Sequence, residues 1–457
     1  MKNENENSKK GFVVSVVHRI HGELSDLIKR QILVSNFRLL KLPILVIVSA
    51  FLVTLLFSSQ SKEQIKKEIK TNYWEIQSID TVKYSRDLAR EKLRDDSFRD
   101  VINNQVKNIA SVGVTHIALG TPYDEEFIPY LQSWVDAARA NGVGIWFRGN
   151  FSGWEEWFDY PPISQEEHKN MLVDFIKENP GLFEDGDIFT PCTECENGEI
   201  GDPRQTGDVE GYRSFLIDEY EASKVAFEEI GKGVETGYFS MNADVARLVM
   251  DQKTTEALGG IVVIDHYVKD PEKLAGDVDE ISSMSGGEVV LGEFGAPIPD
   301  IHGDMSKEQQ SDWVRNVLSL VSKKNSLVGV NYWVSFEGTT AIWESDGSEK
   351  PTVAILRSYY SPQIIKGKLT NDIGKPIKNA LIIADSKESR SNSNGEFNIL
   401  SNPSLGNIIV ISPGYKKENV IFNQNLDLGE IVLKKEKEGL FFRIQVFLYM
   451  ISRRLGL

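Results

Sequence analysis

The stretch EVVLGEFGAP, residues 288–297, carries the pattern from which the fold is predicted. An apolar run leads within a few residues to an acidic side chain, Glu293. A second apolar run, IVVI at residues 261–264, lies upstream and is followed by His266 and Tyr267. Continuous apolar runs of this kind are typical of strands in a parallel sheet covered on both faces.

Short runs of this type alternate with longer amphipathic segments from about residue 72 to residue 361. Strands are predicted at Trp74–Ile79, Val114–Leu119, Val143–Phe147, Asp187–Glu194, Val234–Ser240, Gly260–His266, Glu288–Phe294 and Leu327–Trp333. Eight strands with helices between them predict an α/β fold, a (β/α)8 TIM barrel, whose typical size is about 250 residues. A doubly wound open sheet is the alternative, although the first βα turn lacks a dinucleotide or Walker motif.

The composition is that of a folded protein with a sizeable core. The chain has 457 residues, of which 41% are hydrophobic and 10% aromatic. Its net charge of −16 argues against nonspecific nucleic-acid binding, because a phosphate backbone attracts cationic surfaces. Two cysteines are too few for a disulfide framework. Nothing in the sequence predicts an obligate protein partner.

Both ends of the chain suggest contact with membrane lipid. Residues 1–41 form a basic leader, and residues 42–59, LPILVIVSAFLVTLLFSS, carry no charge. This length is near the short end of the roughly 17–25 residues that cross a bilayer, which predicts an uncleaved transmembrane signal-anchor. The lysines and arginines of the leader predict a cytoplasmic N-terminus, with everything after the linker at residues 60–71 extracytoplasmic.

The C-terminal part changes character after the barrel. Residues 362–434 contain strand-like runs separated by turn signals such as Asn394-Gly395 and Pro413-Gly414, which predicts a small all-β sandwich without chemistry of its own. Residues 435–457 are a charged linker followed by an apolar segment that contains three arginines. This segment is either an amphipathic helix in the membrane interface or a terminal helix that covers an apolar patch of its own protein.

Two carboxylates are candidates for catalysis because of their positions. Glu194 lies at the predicted end of the fourth strand and Glu293 at the end of the seventh. In a barrel both ends open on the face where active sites form. A retaining glycosidase needs two carboxyl groups about 5–5.5 Å apart, one as acid/base and one as nucleophile. Glu196 and Glu199 are rival acids in the loop of Glu194.

The sequence around Glu293 also resembles a known family. GEFG after VVL is similar to the seventh-strand nucleophile motif of clan A glycoside hydrolases, the cellulase-like barrels. The resemblance implies that Glu293 is the nucleophile and Glu194 the acid/base. It further implies sugar or nucleophile contacts for residues at the ends of neighbouring strands: Arg148, His266, Tyr267 and Trp333. The family usually has Asn before the acid/base, where this chain has Thr193, whose hydroxyl is expected to replace part of the Asn contact to the sugar.

Aromatic residues follow several of the predicted strands. Trp154, Trp157, Tyr123 and Trp343 are expected in loops of the same barrel face. Exposed rings are natural platforms for sugars, although a small core beneath the loop after the third strand would also use them.

Two further patterns concern the cysteines and the sandwich. Cys192 and Cys195 bracket Glu194 as C-x-x-C, either as packed thiols or as a local disulfide, and no metal site is predicted because no second cysteine pair exists. The segment GKLTNDIGKPIKNALIIADSKESRSNSNGEFNI resembles the carboxypeptidase-regulatory-like domain, which implies a spacer or adhesion module.

The sequence thus predicts a membrane-anchored retaining glycoside hydrolase that acts on a polysaccharide or oligosaccharide and needs no cofactor. Two rivals remain open. One is an inactive barrel that binds surface polysaccharide, a reading favoured by Thr193 in place of the family's Asn. The other is a redox or metal protein built on the C-x-x-C motif.

Overall fold

The computed structural model describes residues 72–81, 86–155, 159–384, 387–401, 406–422 and 426–436. The leader, the predicted span at residues 42–59, the linker at 60–71 and the apolar segment after residue 436 lie outside these ranges. Within them, no helix is both long enough and apolar enough to cross a bilayer.

Eight parallel strands form the first and larger sheet. They are β1 Ile76–Asp80, β2 His116–Leu119, β3 Gly144–Phe147, β4 Ile188–Phe189, β5 Ser240–Asn242, β6 Ile261–Asp265, β7 Glu288–Phe294 and β8 Leu327–Tyr332. Their order in the sheet is β4-β3-β2-β1-β8-β7-β6-β5. A parallel bridge between Ile188 and Glu235 joins the two edges, because the Phe189 amide donates to the Glu235 carbonyl at 2.8 Å. The predicted (β/α)8 barrel is confirmed.

Helices connect the strands and cover the outside of the barrel. They are α1 Arg86–Leu93, α2 Phe98–Ala110, α3 Ile128–Ala140, α4 Gln165–Glu178, α5 Pro203–Thr206, α6 Val209–Glu229, α7 Ala243–Val249, α8 Gln252–Ala257, α9 Pro271–Ser285, α10 Pro299–His302, α11 Lys307–Val321 and α12 Pro351–Tyr360. Capping boxes begin two of them, Ser164 with Glu167 at α4 and Ser306 with Gln309 at α11. Each satisfies amide groups that the first helical turn leaves without partners.

The inside of the barrel is a packed core. Side chains from different strands meet there: Ile76, Ala118, Trp146, Ile188, Tyr238, Val263 and Val290. The indole of Trp146 is fully buried, and its N–H donates to Thr190 Oγ1 at 2.9 Å. A second, larger apolar layer lies between the strands and the helices. This filled interior gives the strand ends above it a fixed support.

A seven-stranded β-sandwich follows the barrel, as predicted. Its strands are β9 Gln363–Asn371, β10 Leu381–Ala384, β11 Lys387–Arg390, β12 Glu396–Ser401, β13 Asn407–Ile411, β14 Glu418–Ile421 and β15 Asp427–Leu433. One sheet has the order β11-β10-β13-β14 and the other β12-β9-β15. Apolar residues of both sheets, among them Leu369, Ile382, Phe397 and Val410, form a core between them.

The sandwich adjoins the barrel directly. Only Ser361 and Pro362 separate α12 from β9. Ser361 donates a hydrogen bond to the carbonyl of Val112, just before β2, so the junction lies at the N-terminal end of the barrel strands. Leu400 of β12 belongs to the apolar core of the barrel, and the Lys387 ammonium lies 5.1 Å from the centre of the Tyr73 ring. The sandwich is therefore attached at the end opposite to the one where barrel active sites form.

Two of the predicted strands are wrong in extent. β4 ends at Phe189 instead of Glu194, because Pro191 lacks an amide donor and Thr190 turns its hydroxyl to the carbonyl of Tyr238 at 2.8 Å. β5 begins at Ser240, whereas a strand was predicted at Val234–Ser240. Glu194 therefore lies in a loop beyond its strand.

Candidate active site

Glu293 is aimed by a β-bulge in β7. Ile264 of β6 pairs with Leu291, but the next residue, Asp265, pairs with Glu293, so Gly292 is the extra residue of the bulge. A Cβ atom at Gly292 would lie 2.6 Å from Cγ1 of Val263 and would collide with Asp265. Bulges re-aim side chains beside active sites. Position 292 therefore requires glycine, because there is no space for a Cβ atom.

Arg148 directly follows β3 and lies completely buried beneath Glu293. Its Nη1 donates to Asp80 Oδ2 at 2.7 Å, and its Nη2 lies 3.2 Å from Glu293 Oε1. Nη2 also donates to Asp265 Oδ2 at 3.1 Å. Burial by itself would lower the pKa of Arg148, but the three carboxylates outweigh it and raise that pKa above its ordinary value. Arg148 is thus a permanent cation that holds Glu293 from below.

Tyr267 contacts the other oxygen of Glu293. Its hydroxyl donates to Glu293 Oε2 at 2.8 Å. Burial, and then the charge of Glu293, raise the pKa of Tyr267 well above its ordinary value. The phenol therefore stays protonated and remains a donor. Both carboxylate oxygens of Glu293 are thereby held, one by Arg148 and one by Tyr267.

Glu194 reaches the same place from the loop after β4. Its backbone is left-handed, with φ 48° and ψ 47°, and its amide donates to the Ser240 carbonyl at 2.9 Å. One carboxylate oxygen from each of Glu194, Asp265 and Glu293 lie within 4.8 Å of one another. The structure brings together the two acids that the sequence singled out.

The hydroxyl of Thr193 is engaged by the protein backbone. The hydroxyl donates to the backbone carbonyl of Arg148 at 2.9 Å, and the Thr193 carbonyl accepts from Asn150 Nδ2 at 2.9 Å. The proton of this hydroxyl is therefore used within the protein, and the expected partial replacement of the Asn contact to a sugar stays a prediction. Thr193 ties the loop of Glu194 to the end of β3.

His266 points away from the carboxylates. Its Nε2 lies 2.7 Å from Asp277 Oδ2 on α9, and only its backbone N–H contacts Glu293, donating to the carbonyl oxygen at 2.8 Å. The reason is strand alternation: Asp265 faces the barrel interior, so the next side chain faces the helices. The predicted contact of the imidazole with the nucleophile is wrong, and burial lowers the pKa of this histidine.

Two of the predicted aromatic platforms stand at the site or in its loops. Trp333, at the end of β8, is half-buried, and its ring meets that of Tyr267 edge to face at 6.1 Å between centroids. Trp154 is 51% exposed. Its amide donates to the carbonyl of Asn197, whose own amide donates to the carbonyl of Glu194 at 2.9 Å. Trp154 therefore stands beside the loop of Glu194.

Tyr123 and Trp343 were wrongly predicted to be exposed. Tyr123 is 1% exposed, and its hydroxyl donates to the Thr190 carbonyl at 3.2 Å within an aromatic core. Trp343 is 2% exposed and stacks on Phe336 at 5.5 Å. Both rings belong to the main apolar core of the barrel, not to a separate small core beneath the loop after the third strand. Trp157 lies outside the described residues.

Sequence reasoning missed three polar residues of the site. Asp80 ends β1 and Asp265 ends β6, both in contact with Arg148. Asn331 of β8 donates through Nδ2 to the Gly292 carbonyl at 2.8 Å and so holds the bulge. The two aspartates carried a readable signal, since IQSID and IVVID each end on an acid, like the run before Glu293.

The rival acids of the Glu194 loop are placed differently. Glu196 is buried, and its Oε1 accepts from the Asn242 amide at 2.7 Å and from Asn242 Nδ2 at 3.0 Å. Burial raises the pKa of Glu196. Glu199 is exposed. Glu196 therefore fastens the loop to β5, and Glu194 is the acid that faces Glu293. Cys192 and Cys195 form a disulfide, one of the two states considered for them.

No protein-family model and no curated protein matches this sequence. Solved structures that resemble it include a variant of GH5_18 from Bifidobacterium longum subsp. longum in complex with Manb1-4GlcNAc. It is 13% identical with a TM-score of 0.46, over 66% of this chain and 84% of that one. GH5_18 from Streptomyces cattleya, in complex with GlcNAc, is 13% identical with a TM-score of 0.45, over 65% and 84%.

A fungal beta-1,4-galactanase is 14% identical with a TM-score of 0.44, over 61% of this chain and 98% of that one. All three TM-scores are below 0.5. The barrel and the candidate site described here therefore rest on the geometry of this chain itself.

Proposed function

We propose that this protein is a retaining glycoside hydrolase of the clan A type. The observation that carries the proposal is the pair Glu194 and Glu293, whose carboxylate oxygens lie within 4.8 Å of each other at the C-terminal end of the barrel strands. Retaining glycosidases hold their two carboxyl groups about 5–5.5 Å apart, whereas inverting enzymes leave room for a water between them. The short separation supports double displacement.

The surroundings of the two acids support different roles. Glu293 forms an ion pair with Arg148 and receives a hydrogen bond from Tyr267, and both contacts favour the ionised form that a nucleophile requires. Glu194 lies on a loop and is half-buried. In the proposed reaction Glu194 protonates the leaving oxygen while Glu293 attacks the anomeric carbon. Water, deprotonated by Glu194, then releases the sugar from Glu293.

The substrate is a polysaccharide or oligosaccharide. Trp333 contacts the ring of Tyr267, which in turn donates to Glu293, and its half-buried ring offers an apolar face to a sugar. Trp154 stands on the side of Glu194, the acid that protonates the departing part of the substrate, so we assign it to that part.

The test separates the two carboxylates by the leaving group of the substrate. Glu293→Ala should abolish glycosyl-enzyme formation, measured by trapping with an activated fluoroglycoside and mass spectrometry. Glu194→Ala should cost roughly 10²–10⁴-fold on substrates with poor leaving groups but little in the first step with dinitrophenyl glycosides. Glu199→Ala, an exposed acid of the same loop, is the matched control and should behave like the unaltered protein. Equal losses of activity on both substrates would show that Glu194 is not the acid/base. A product of inverted configuration would contradict the double-displacement mechanism.

The second candidate is a barrel that binds polysaccharide without cleaving it. The observation in its favour is Thr193, which stands where the family has Asn and whose hydroxyl donates to the Arg148 carbonyl at 2.9 Å. Binding of a glycan without release of reducing ends, by the unaltered protein and by Glu293→Ala alike, would support this candidate.

We further propose that the protein is anchored by residues 42–59 with its barrel extracytoplasmic, and that the sandwich is a carboxypeptidase-regulatory-like spacer. The charge pattern of the leader supports the orientation. Protease added to intact cells should release a barrel fragment and spare the leader. Protection of the barrel until cells are opened would reverse the orientation.

A further inference from the structure

The acid/base carboxyl is held by a loop, in contrast to the nucleophile. Glu293 lies within the seven-residue strand β7, paired on both sides. β4 ends at Phe189, so Glu194 lies beyond its own strand, and its backbone reaches the sheet through its amide, which donates to the Ser240 carbonyl of β5 at 2.9 Å. Catalysis nevertheless requires Glu194 to be placed as exactingly as Glu293, since displacements of about 1 Å can cost on the order of 10²-fold in rate.

The backbone of Glu194 adopts an intrinsically unfavourable conformation. Its φ of 48° and ψ of 47° are left-handed, a region that disfavours residues with a Cβ atom. Such conformations persist only where the surrounding structure enforces them, and they cluster at functional sites. Something in the loop must therefore hold Glu194.

The covalent constraint on this residue is the disulfide loop, residues 192–195. Cys192 and Cys195 are bonded, their Cα atoms lie 5.6 Å apart, and Glu194 is one of the two residues enclosed. Both cysteines are 1% exposed, so their side chains are fixed in the core. We propose that Cys192 and Cys195 are positioning residues, whose bond holds the Glu194 carboxyl in reach of the leaving-group oxygen. This inference rests on the proposed function.

A buried histidine supports the disulfide. A ring nitrogen of His168, on α4, and the two sulfur atoms lie within 4.8 Å of one another. The His168 Nδ1 lies 3.1 Å from Glu219 Oε1 on α6, and both side chains are fully buried. The Nε2 of His168 has no hydrogen-bond partner among the described residues. Since Nδ1 is engaged by Glu219, Nε2 is the nitrogen available to the sulfurs.

This arrangement predicts that the folded protein survives loss of the bond. Reduction by a dithiol adds two electrons and two protons to the disulfide and gives two thiols, while the reductant closes to its own cyclic disulfide. A thiol S–H of Cys192 or Cys195 can then donate to the free Nε2 of His168. The core beneath the loop stays satisfied, and the loop itself loses the constraint that enforces the left-handed Glu194.

The experiment compares two substrates of one sugar in the unaltered protein and in Cys192→Ser/Cys195→Ser. The dinitrophenyl glycoside needs no proton on its leaving group, and the oligosaccharide does. The double variant should lose at least about tenfold in kcat/KM on the oligosaccharide and less than about threefold in the first step with the dinitrophenyl glycoside. The unaltered protein treated with dithiothreitol, with two thiols confirmed by titration, should show the same split and recover on reoxidation.

Each outcome decides the inference. An equal loss on both substrates would mean that the bond supports the fold alone, and no loss on either would mean that Glu194 is held without it. If the double variant does not fold, the reduced unaltered protein gives the same comparison. If the unaltered protein cleaves neither substrate while it is folded, the proposed function itself fails, and the disulfide has no acid to position.

Discussion

Replacing Gly292 with alanine tests how Glu293, the proposed nucleophile, is aimed. The added Cβ would lie 2.6 Å from Val263 Cγ1 and 3.3 Å from Ser240 Cβ, and would collide with Asp265 Oδ1. Asp265 cannot yield freely, because it is paired with the buried Arg148. The bulge must therefore shift, and Glu293, the next residue, shifts with it.

The size of the effect follows from two contributions. An extra methyl group in a packed interior costs about 1–3 kcal/mol. The Gly292 carbonyl also accepts from Arg148 Nη1 and Asn331 Nδ2, both at 2.8 Å, and hydrogen bonds to a charged donor contribute about 1.5–3 kcal/mol. We expect Gly292→Ala to lose about 3 kcal/mol in unfolding free energy, and roughly 10²-fold in kcat/KM, as a displaced nucleophile implies.

Urea unfolding and initial rates on a dinitrophenyl glycoside measure the two quantities. The control is Gly276→Ala within α9, where no atom lies within 4 Å of the added Cβ. Alanine in a helix interior should stabilise the protein there by up to about 1 kcal/mol and leave the rate unchanged. If Gly292→Ala matched the unaltered protein in both measurements, the bulge would not be what aims Glu293.

Three further predictions follow from the same geometry. Arg148→Met should lower the unfolding free energy by about 3–5 kcal/mol, because it leaves three buried carboxylates without their cation: Asp80, Asp265 and Glu293. The control, Arg315→Met, removes an exposed ion pair with Asp312 and should lower it by less than about 1 kcal/mol. Trp154→Ala should raise KM for an oligosaccharide about tenfold and change the unfolding free energy by less than about 0.5 kcal/mol, because the Trp154 side chain is exposed. Trp343→Ala, in the core, should lower the unfolding free energy measured by chemical denaturation by about 3–5 kcal/mol. Burial lowers the pKa of His266 from its ordinary value of 6.5, so the unfolded chain binds the proton more tightly than the folded protein, and the contribution of neutral His266 to stability is complete above pH 6.5 and is lost as the pH falls below 6.5. His266→Gln should therefore make the decrease in unfolding free energy between pH 7.5 and 5.5 smaller. An unchanged decrease would show that other groups cause that decrease.

The sequence predicted the barrel because buried parallel strands are read directly from apolar runs. β7 was predicted at its observed bounds, and an acid after such a run led to Glu293. The same rule, applied to β1 and β6, would have found Asp80 and Asp265. It misjudged the extent of β4, because a two-residue strand that ends before a proline has almost no pattern of its own.

The directions of side chains were harder to predict than the positions of strands. His266 adjoins Tyr267 in sequence, yet only Tyr267 contacts the Glu293 side chain, since neighbouring side chains in extended backbone point to opposite sides. Exposure of loop aromatics depends on tertiary packing, so Tyr123 and Trp343 could not be separated from Trp154 by sequence. The burial of His168 likewise depends on a partner distant in sequence, because Glu219, 51 residues away, meets it in the core.

The junction between barrel and sandwich has a mechanical consequence. A connection of two residues, with Leu400 in the barrel core and Lys387 over the Tyr73 ring, restricts the motion of the sandwich relative to the barrel. Barrel and sandwich should tumble as one particle, with a single rotational correlation time. The hydrogen bond of Ser361 to Val112 also places the start of the sandwich at the N-terminal end of the barrel strands. For the proposed hydrolase, this leaves the sandwich at the opposite end of the barrel strands from Glu194 and Glu293.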